Sequence, residues 1–137
     1  MSYAGDVTPE QAWTALREEP GAVLVDVRTR AEWSYVGLPD LGEIGKEPVL
    51  IEWQTYPDGR VNERFTAQLE AAGVAKDAPV YFLCRSGVRS VSAATTATQQ
   101  GWSRSHNVLH GFEGPHDERR HRTVAGWKVA GLPWVQG

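Results

Sequence analysis

The feature that most constrains this 137-residue chain is a nearly unbroken apolar run, Ala22-Val23-Leu24-Val25-Asp26-Val27. A strand with one wet face alternates apolar and polar residues. A run without alternation must be covered on both faces, as in a parallel sheet between layers of helices. Val80-Tyr81-Phe82-Leu83 has the same character. Val49 to Trp53 and Asn107-Val108-Leu109 read as two further strands.

Helical patterns fill the intervals. Thr8-Pro9-Glu10-Gln11 predicts a helix start, with Thr8 as N-cap, Pro9 in the first turn and Gln11 completing a capping box. Ala12, Trp13, Ala15 and Leu16 give that helix one apolar face, which stops at Pro20-Gly21. Thr29 to Tyr35 predicts a short helix, and Phe65, Leu69 and Ala72 keep helical spacing up to Gly73. Ser90 to Gln100 is rich in Ala, Thr and Ser, as suits a helix packed closely by small residues. Gly37 to Gly45 reads as loop, and Pro57-Asp58-Gly59 as a turn. Strands alternating with helices predict an α/β fold, with a mainly parallel central sheet flanked by helices on both faces. The tail from Phe112 carries Trp127 and Trp134 and is expected to wrap back onto the domain.

One domain over residues 1–137 is expected, since a chain of this length buries roughly two thirds of its unfolded surface. The apolar and charged fractions, 41% and 23%, are those of a globular chain rather than a disordered one. Net charge is −3, and the basic residues are scattered except at Arg119, Arg120 and Arg122, which argues against a broad nucleic-acid surface. No apolar run approaches the roughly 20 residues of a membrane span. The first residues show neither a basic segment nor an apolar stretch of the secretory kind, so a cytoplasmic location is expected. There is one cysteine, Cys84, which suits a reducing compartment and rules out an intramolecular disulfide.

Alone, a single cysteine reads as a small buried hydrophobe. Its setting argues otherwise. Cys84 ends an apolar strand, and Cys84-Arg85-Ser86-Gly87-Val88-Arg89-Ser90 leads from that strand into a helix. In open parallel sheets, ligands bind beyond the carboxyl ends of the strands. A loop there gathers backbone N–H groups into a concavity, and Gly87 permits the positive φ that a tight cradle needs. With the cations Arg85 and Arg89, this should stabilise a thiolate and attract an oxyanion. A nucleophile and an anion cradle in one loop point to attack on a small anionic molecule or group.

These residues resemble the rhodanese family. Val23-Leu24-Val25-Asp26-Val27-Arg28 followed by Glu32-Trp33 is similar to its early motif, and Tyr81 to Ser90 resembles its active-site loop. Leu109-His110-Gly111-Phe112-Glu113-Gly114, Trp127 and Ala130 to Trp134 resemble its closing turn and terminal segment. The resemblance spans roughly residues 7 to 135 and implies a sulfurtransferase. Cys84 would attack the outer sulfur of an anionic donor such as thiosulfate, hold it as a persulfide, and pass it to cyanide or another thiophilic acceptor. Arg85 and Arg89 would bind the donor, and the N–H groups of Arg85, Ser86, Gly87, Val88 and Arg89 would hold the persulfide. No cofactor beyond the covalent sulfur is implied, and a protein acceptor stays open. The chain departs from the family at Val36 to Gly42 and in a basic insert, Pro115 to Arg122.

Asp26, Arg28 and Glu32 read as structural support, a salt bridge or loop anchors beside the site. His106, His110, His116 and His121 lack metal-ligand spacing, although His110 follows a strand and could approach the same sheet edge. Trp33, Trp53 or Trp127 could line a pocket mouth. Two rival functions stand beside the transferase. A cysteine phosphatase needs five residues between Cys and Arg, and here Cys84 and Arg89 enclose four. A non-catalytic module would use the anion pocket only to bind a partner.

Overall fold

The computed structural model describes residues 3–54, 59–85, 89–112, 126–128 and 130–135. In chain order the elements are β1 (Gly5–Val7), α1 (Pro9–Glu18), β2 (Val23–Asp26), α2 (Arg30–Tyr35), β3 (Leu38–Pro39), a 3₁₀ turn (Gly42–Ile44) and β4 (Val49–Leu50). Then follow α3 (Phe65–Ala71), β5 (Val80–Leu83), α4 (Arg89–Gln99), β6 (Ser105–Val108) and β7 (Trp134–Val135).

Five strands form one sheet in the order β1-β6-β5-β2-β4, and every neighbouring pair is parallel. The two central strands bury both faces, and their side chains divide between two cores. Leu24, Tyr81 and Leu83 pack with Ala12 and Leu16 of α1. Val25, Val80, Phe82 and Cys84 pack with Phe65 and Leu69 of α3 and with Ala93, Ala94 and Ala97 of α4. The alanines of α4 let the helix lie close to the sheet. Each large side chain buried this way contributes about 1.5–3 kcal/mol of transfer free energy. The α/β architecture with helices on both faces follows directly from these unalternated runs.

Local chemistry sets the helix starts. At α1 the Thr8 hydroxyl accepts from Gln11 N at 3.1 Å, while Gln11 Oε1 accepts from Thr8 N at 2.8 Å. At α2 Thr29 and Glu32 make the same reciprocal bonds, at 3.3 and 3.1 Å. Each box satisfies two backbone N–H groups that a helix start otherwise leaves unpaired.

Several boundaries differ from the expectation. The edge strand β4 has two residues, because Ile51 and Trp53 instead donate single bonds to Asp26 and Val27. The stretch 37–45, expected to be loop, contains β3 and the 3₁₀ turn, and β3 pairs antiparallel with β7. β1 has no apolar run to announce it and exists because β6 offers it an edge. The tail does return to the domain. Trp127 N donates to Gly111 O at 2.8 Å, and the Trp127 ring is fully buried, edge-on to Trp13 at 6.0 Å. Trp127 is therefore core and not a pocket mouth. Trp53 likewise packs edge-on to Phe65, at 5.2 Å. The expected turn at residues 57–58 lies outside the described residues, as does the basic insert.

Candidate active site

Cys84 follows the last residue of β5, the central strand of the sheet, and is 1% exposed. Its backbone is held from two directions. Val27 N donates to Leu83 O at 2.8 Å, and Phe112 N donates to Cys84 O at 2.7 Å. The second bond depends on the turn after β6. Gly111 there has φ +62°, and a Cβ on it would collide with the carbonyl oxygen of Cys84 and lie 2.7 Å from the carbonyl carbon of Arg85. Only glycine lets that turn rest on the backbone of the nucleophile.

The sulfur lies 3.2 Å from the Ser90 hydroxyl, on the first turn of α4. Ser90 in turn donates to Asn107 Oδ1 of β6, and both residues are buried. Neither was singled out from the sequence as a site residue. The available signal was an asparagine inside a strand that is otherwise buried, a position where a polar group must have a partner.

Ser86, Gly87 and Val88, expected to form the anion cradle, lie outside the described residues. The loop is described at its two ends. Arg85 is exposed, whereas Arg89 is half-buried. Arg89 meets Glu32 in a two-pronged ion pair, Nη1 to Oε1 at 2.7 Å and Nη2 to Oε2 at 2.9 Å. Burial raises the Glu32 carboxyl, but the hydrogen bonds and charge of Arg89 outweigh it, so Glu32 titrates below its usual range. For Arg89, burial works against the cation, while the hydrogen bonds and charge of Glu32 and the nearness of Cys84 and Asp26 favour it, and the balance lies above its usual value. Arg89 thus stands beside Cys84 as a permanent cation with a carboxylate already attached.

Behind this wall, Asp26 and Arg28 form a second pair, fully buried. Arg28 Nη2 lies 2.7 Å from Asp26 Oδ2, and Nε 2.9 Å from Oδ1. The same Nη2 donates to Gly37 O at 2.7 Å, and the guanidinium carbon sits 4.2 Å from the centre of the Phe112 ring. Arg28 therefore joins the end of β2, the chain after α2 and the turn that carries Phe112.

A cleft of about 480 Å³ opens against the loop, lined by Thr29, Ala31, Glu32, Val36, Arg85 and Arg89 among others. A hollow of similar size, about 430 Å³, lies over α1 and Tyr81. It is walled by Glu10, Glu18 and Glu19 and holds neither a nucleophile nor a cation, so an anion has no reason to enter it. His110 is exposed in a left-handed turn, with φ +65°.

No described helix is long and apolar enough to cross a membrane. The arrangement provides a buried sulfur at a strand end, cations on its loop and a hydroxyl against it, which suits nucleophilic attack on an anionic partner.

The family model for the STR4 middle domain matches residues 4–137. The crystal structure of Rv0390 from M. tuberculosis is 52% identical, with a TM-score of 0.91, covering 98% of this chain and 99% of that one. An uncharacterised protein of Rickettsia conorii is 36% identical over 129 residues, 94% of this chain and 95% of its own length. The thiosulfate sulfurtransferase GlpE of Haemophilus influenzae is 28% identical over 117 residues, 83% of this chain and 89% of its own length. At the level of fold, the rhodanese-like domain of the Anabaena protein Alr3790 superposes with a TM-score of 0.56 at 14% identity, covering 98% of this chain and 79% of that one. The parallel sheet, the cysteine at its central strand end and these matches agree, and the chain belongs to the STR4 middle-domain family and has the rhodanese-like fold.

Proposed function

We propose that the chain is a sulfurtransferase that carries a sulfane sulfur on Cys84, taking it from thiosulfate or a similar anionic donor. The observation that carries this reading is the placement of the only thiol at the carboxyl end of the central strand, with Arg85 next in the chain and the first turn of α4, which carries Arg89 and Ser90, against the sulfur. The similarity to a thiosulfate sulfurtransferase supports the choice of donor.

In the first half-reaction the Cys84 thiolate attacks the outer sulfur of thiosulfate. A new S–S bond forms, the donor S–S bond breaks, and its electron pair leaves on sulfite. Cys84 then bears an anionic persulfide. In the second, a thiophile such as cyanide attacks the outer sulfur, the thiolate is the leaving group, and thiocyanate is released. Arg85 would meet the donor oxyanion. Arg89, tied to Glu32, would act through fixed charge on the sulfur more than as a hand on the substrate, a narrower role than its sequence position suggests. The loop N–H groups would support the persulfide.

Intact mass tests the reading. Thiosulfate followed by removal of excess donor should leave the protein heavier by about one sulfur atom. With no second cysteine to resolve it, the persulfide should persist until cyanide removes it and thiocyanate appears. Cys84→Ser should gain no mass. A wild-type chain that is reduced beforehand, freed of reductant and then loaded by no sulfane donor would overturn the proposal in favour of a binding module.

A further inference from the structure

Behind the sulfur runs a line of polar side chains that the transfer reaction does not itself require. β1 pairs with β6 in a register that sets Asp6 opposite Asn107, and β5 pairs with β6 so that Phe82 lies opposite Asn107. Cys84, two residues beyond Phe82, packs in the same core as it. Along this line Tyr3 Oη donates to Asp6 Oδ1 at 2.8 Å, and Asn107 Nδ2 donates to the same oxygen at 3.0 Å. Ser90 Oγ donates to Asn107 Oδ1, and Cys84 Sγ lies 3.2 Å from Ser90 Oγ. Ser90 and Asn107 are 0% and 3% exposed, while Asp6 stands at the surface.

The direction of every bond follows from Asp6. A carboxylate only accepts, so the Asn107 amide must turn its NH₂ toward Asp6 and its oxygen toward Ser90. That oxygen also only accepts, so Ser90 spends its single hydrogen on Asn107. What the hydroxyl then offers the sulfur is a lone pair, and a lone pair suits a thiol S–H, not a thiolate. To greet an anionic sulfur, Ser90 must turn its hydrogen away from Asn107, stranding a buried acceptor.

We propose that Asp6 and Asn107 are positioning residues that orient Ser90 as an acceptor and so hold the resting Cys84 as the thiol, opposing the cations of its loop. The charged groups around the sulfur then divide in two. Arg85 and Arg89 on the loop side favour the anion, with Glu32 and the Asp26–Arg28 pair behind Arg89. Asp6 on the β1 side favours the neutral form through the relay, and His106 on β6 is stacked on Tyr81 at 4.8 Å. Such a balance suits a lone thiol, since the thiolate is the species that oxidises to a sulfenic acid, and without a resolving thiol that acid can pass on to the irreversible sulfinic and sulfonic states. The inference rests on Cys84 being the reactive thiol, but its test reads the sulfur directly and does not depend on any sulfur donor.

The test is the pH profile of alkylation of the full chain by iodoacetamide, checked against the ultraviolet absorbance of the thiolate. Because Cys84 is the only cysteine, the signal has one source. Asp6→Ala frees the Asn107 amide to flip, Ser90 can then donate to sulfur, and the midpoint should move to lower pH, with alkylation near neutrality roughly tenfold faster. Asp6→Asn keeps an oxygen that Tyr3 and Asn107 can both donate to, so its profile should stay within about twofold of wild type. An unmoved midpoint in Asp6→Ala would overturn the relay. So would equal shifts in both variants that vanish at high salt, since those would report only a lost surface charge. Thiosulfate loading of the wild type is independent of these outcomes and judges the transferase reading separately.

Discussion

Two arginine–carboxylate pairs brace the same loop and are built on opposite plans. Asp26 and Arg28 are two residues apart, share a strand end and are completely buried. Glu32 and Arg89 are 57 residues apart, belong to different helices and keep about a fifth of their side chains exposed. The first pair has replaced water on nearly every side with protein groups, including Gly37 O and the Phe112 ring. The second stands in the wall of the cleft, where solvent still screens it. Burial, not distance, separates their roles. Both pairs have short contacts of 2.7 Å, yet a dry pair is costly to break and a wet one is cheap to adjust.

The most damaging way to probe the contrast is Arg28→Met. It leaves Asp26 buried without its cation, and the loss should be about 3–5 kcal/mol, measured by urea unfolding. A loss below about 1 kcal/mol would put this pair in the same class as the exposed one.

Gly37→Ala attacks the same pair indirectly. Gly37 has φ +122°, and a Cβ there would lie 2.6 Å from Val135 O and 2.9 Å from the Trp134 ring. Relief must move the carbonyl that Arg28 holds, with strain and overpacking together costing about 2–3 kcal/mol. If unfolding shows no such cost, the β3–β7 ribbon yields easily and the Arg28 anchor is not rigid.

Glu32→Gln should have the smallest effect on stability and the most informative effect on catalysis. Gln keeps the capping box with Thr29, so only the ion pair is lost, at about 1 kcal/mol or less given its exposure. Arg89, no longer neutralised, should lower the KM for thiosulfate a few-fold in steady-state assays while kcat changes little. Acid sharpens the point. The folded-state value for Glu32 lies below the ordinary one, so the pair's contribution is complete above the ordinary carboxyl range. It is lost as pH falls through the lowered value. Wild type and Glu32→Gln should therefore differ by a constant amount at neutral pH and converge only in acid. A gap that persists in acid would mean that the difference comes from packing rather than charge.

The same contrast explains what could be read early. Asp26 and Arg28 suggested a salt bridge because the partners are neighbours at the end of one apolar run. Nothing near Arg89 in the chain names Glu32, so the sequence offers only its nearness to Cys84 and leaves its ion pair hidden. Trp127 was misread as a possible mouth residue because a tryptophan near a Gly-rich tail carries no sign of what covers it. β1 stayed hidden for a related reason, since Gly5-Asp6-Val7 becomes a strand only when β6 supplies its hydrogen-bonding partners.

What the chain determines by itself is whatever short-range chemistry can specify. Capping boxes at Thr8 and Thr29 start helices, unalternated apolar runs demand a doubly covered sheet, and the thiol must stand where such a strand ends. Tertiary structure decided which polar groups meet. The register of β1 on β6 sets Asp6 opposite Asn107, the packing of α4 brings Ser90 to the sulfur, and the meeting of α2 with α4 gives Arg89 to Glu32. Those choices lie beyond local sequence because a hydrogen bond has no reach along the chain. It exists only once folding has brought donor and acceptor within about 3 Å and removed the water that would otherwise serve both.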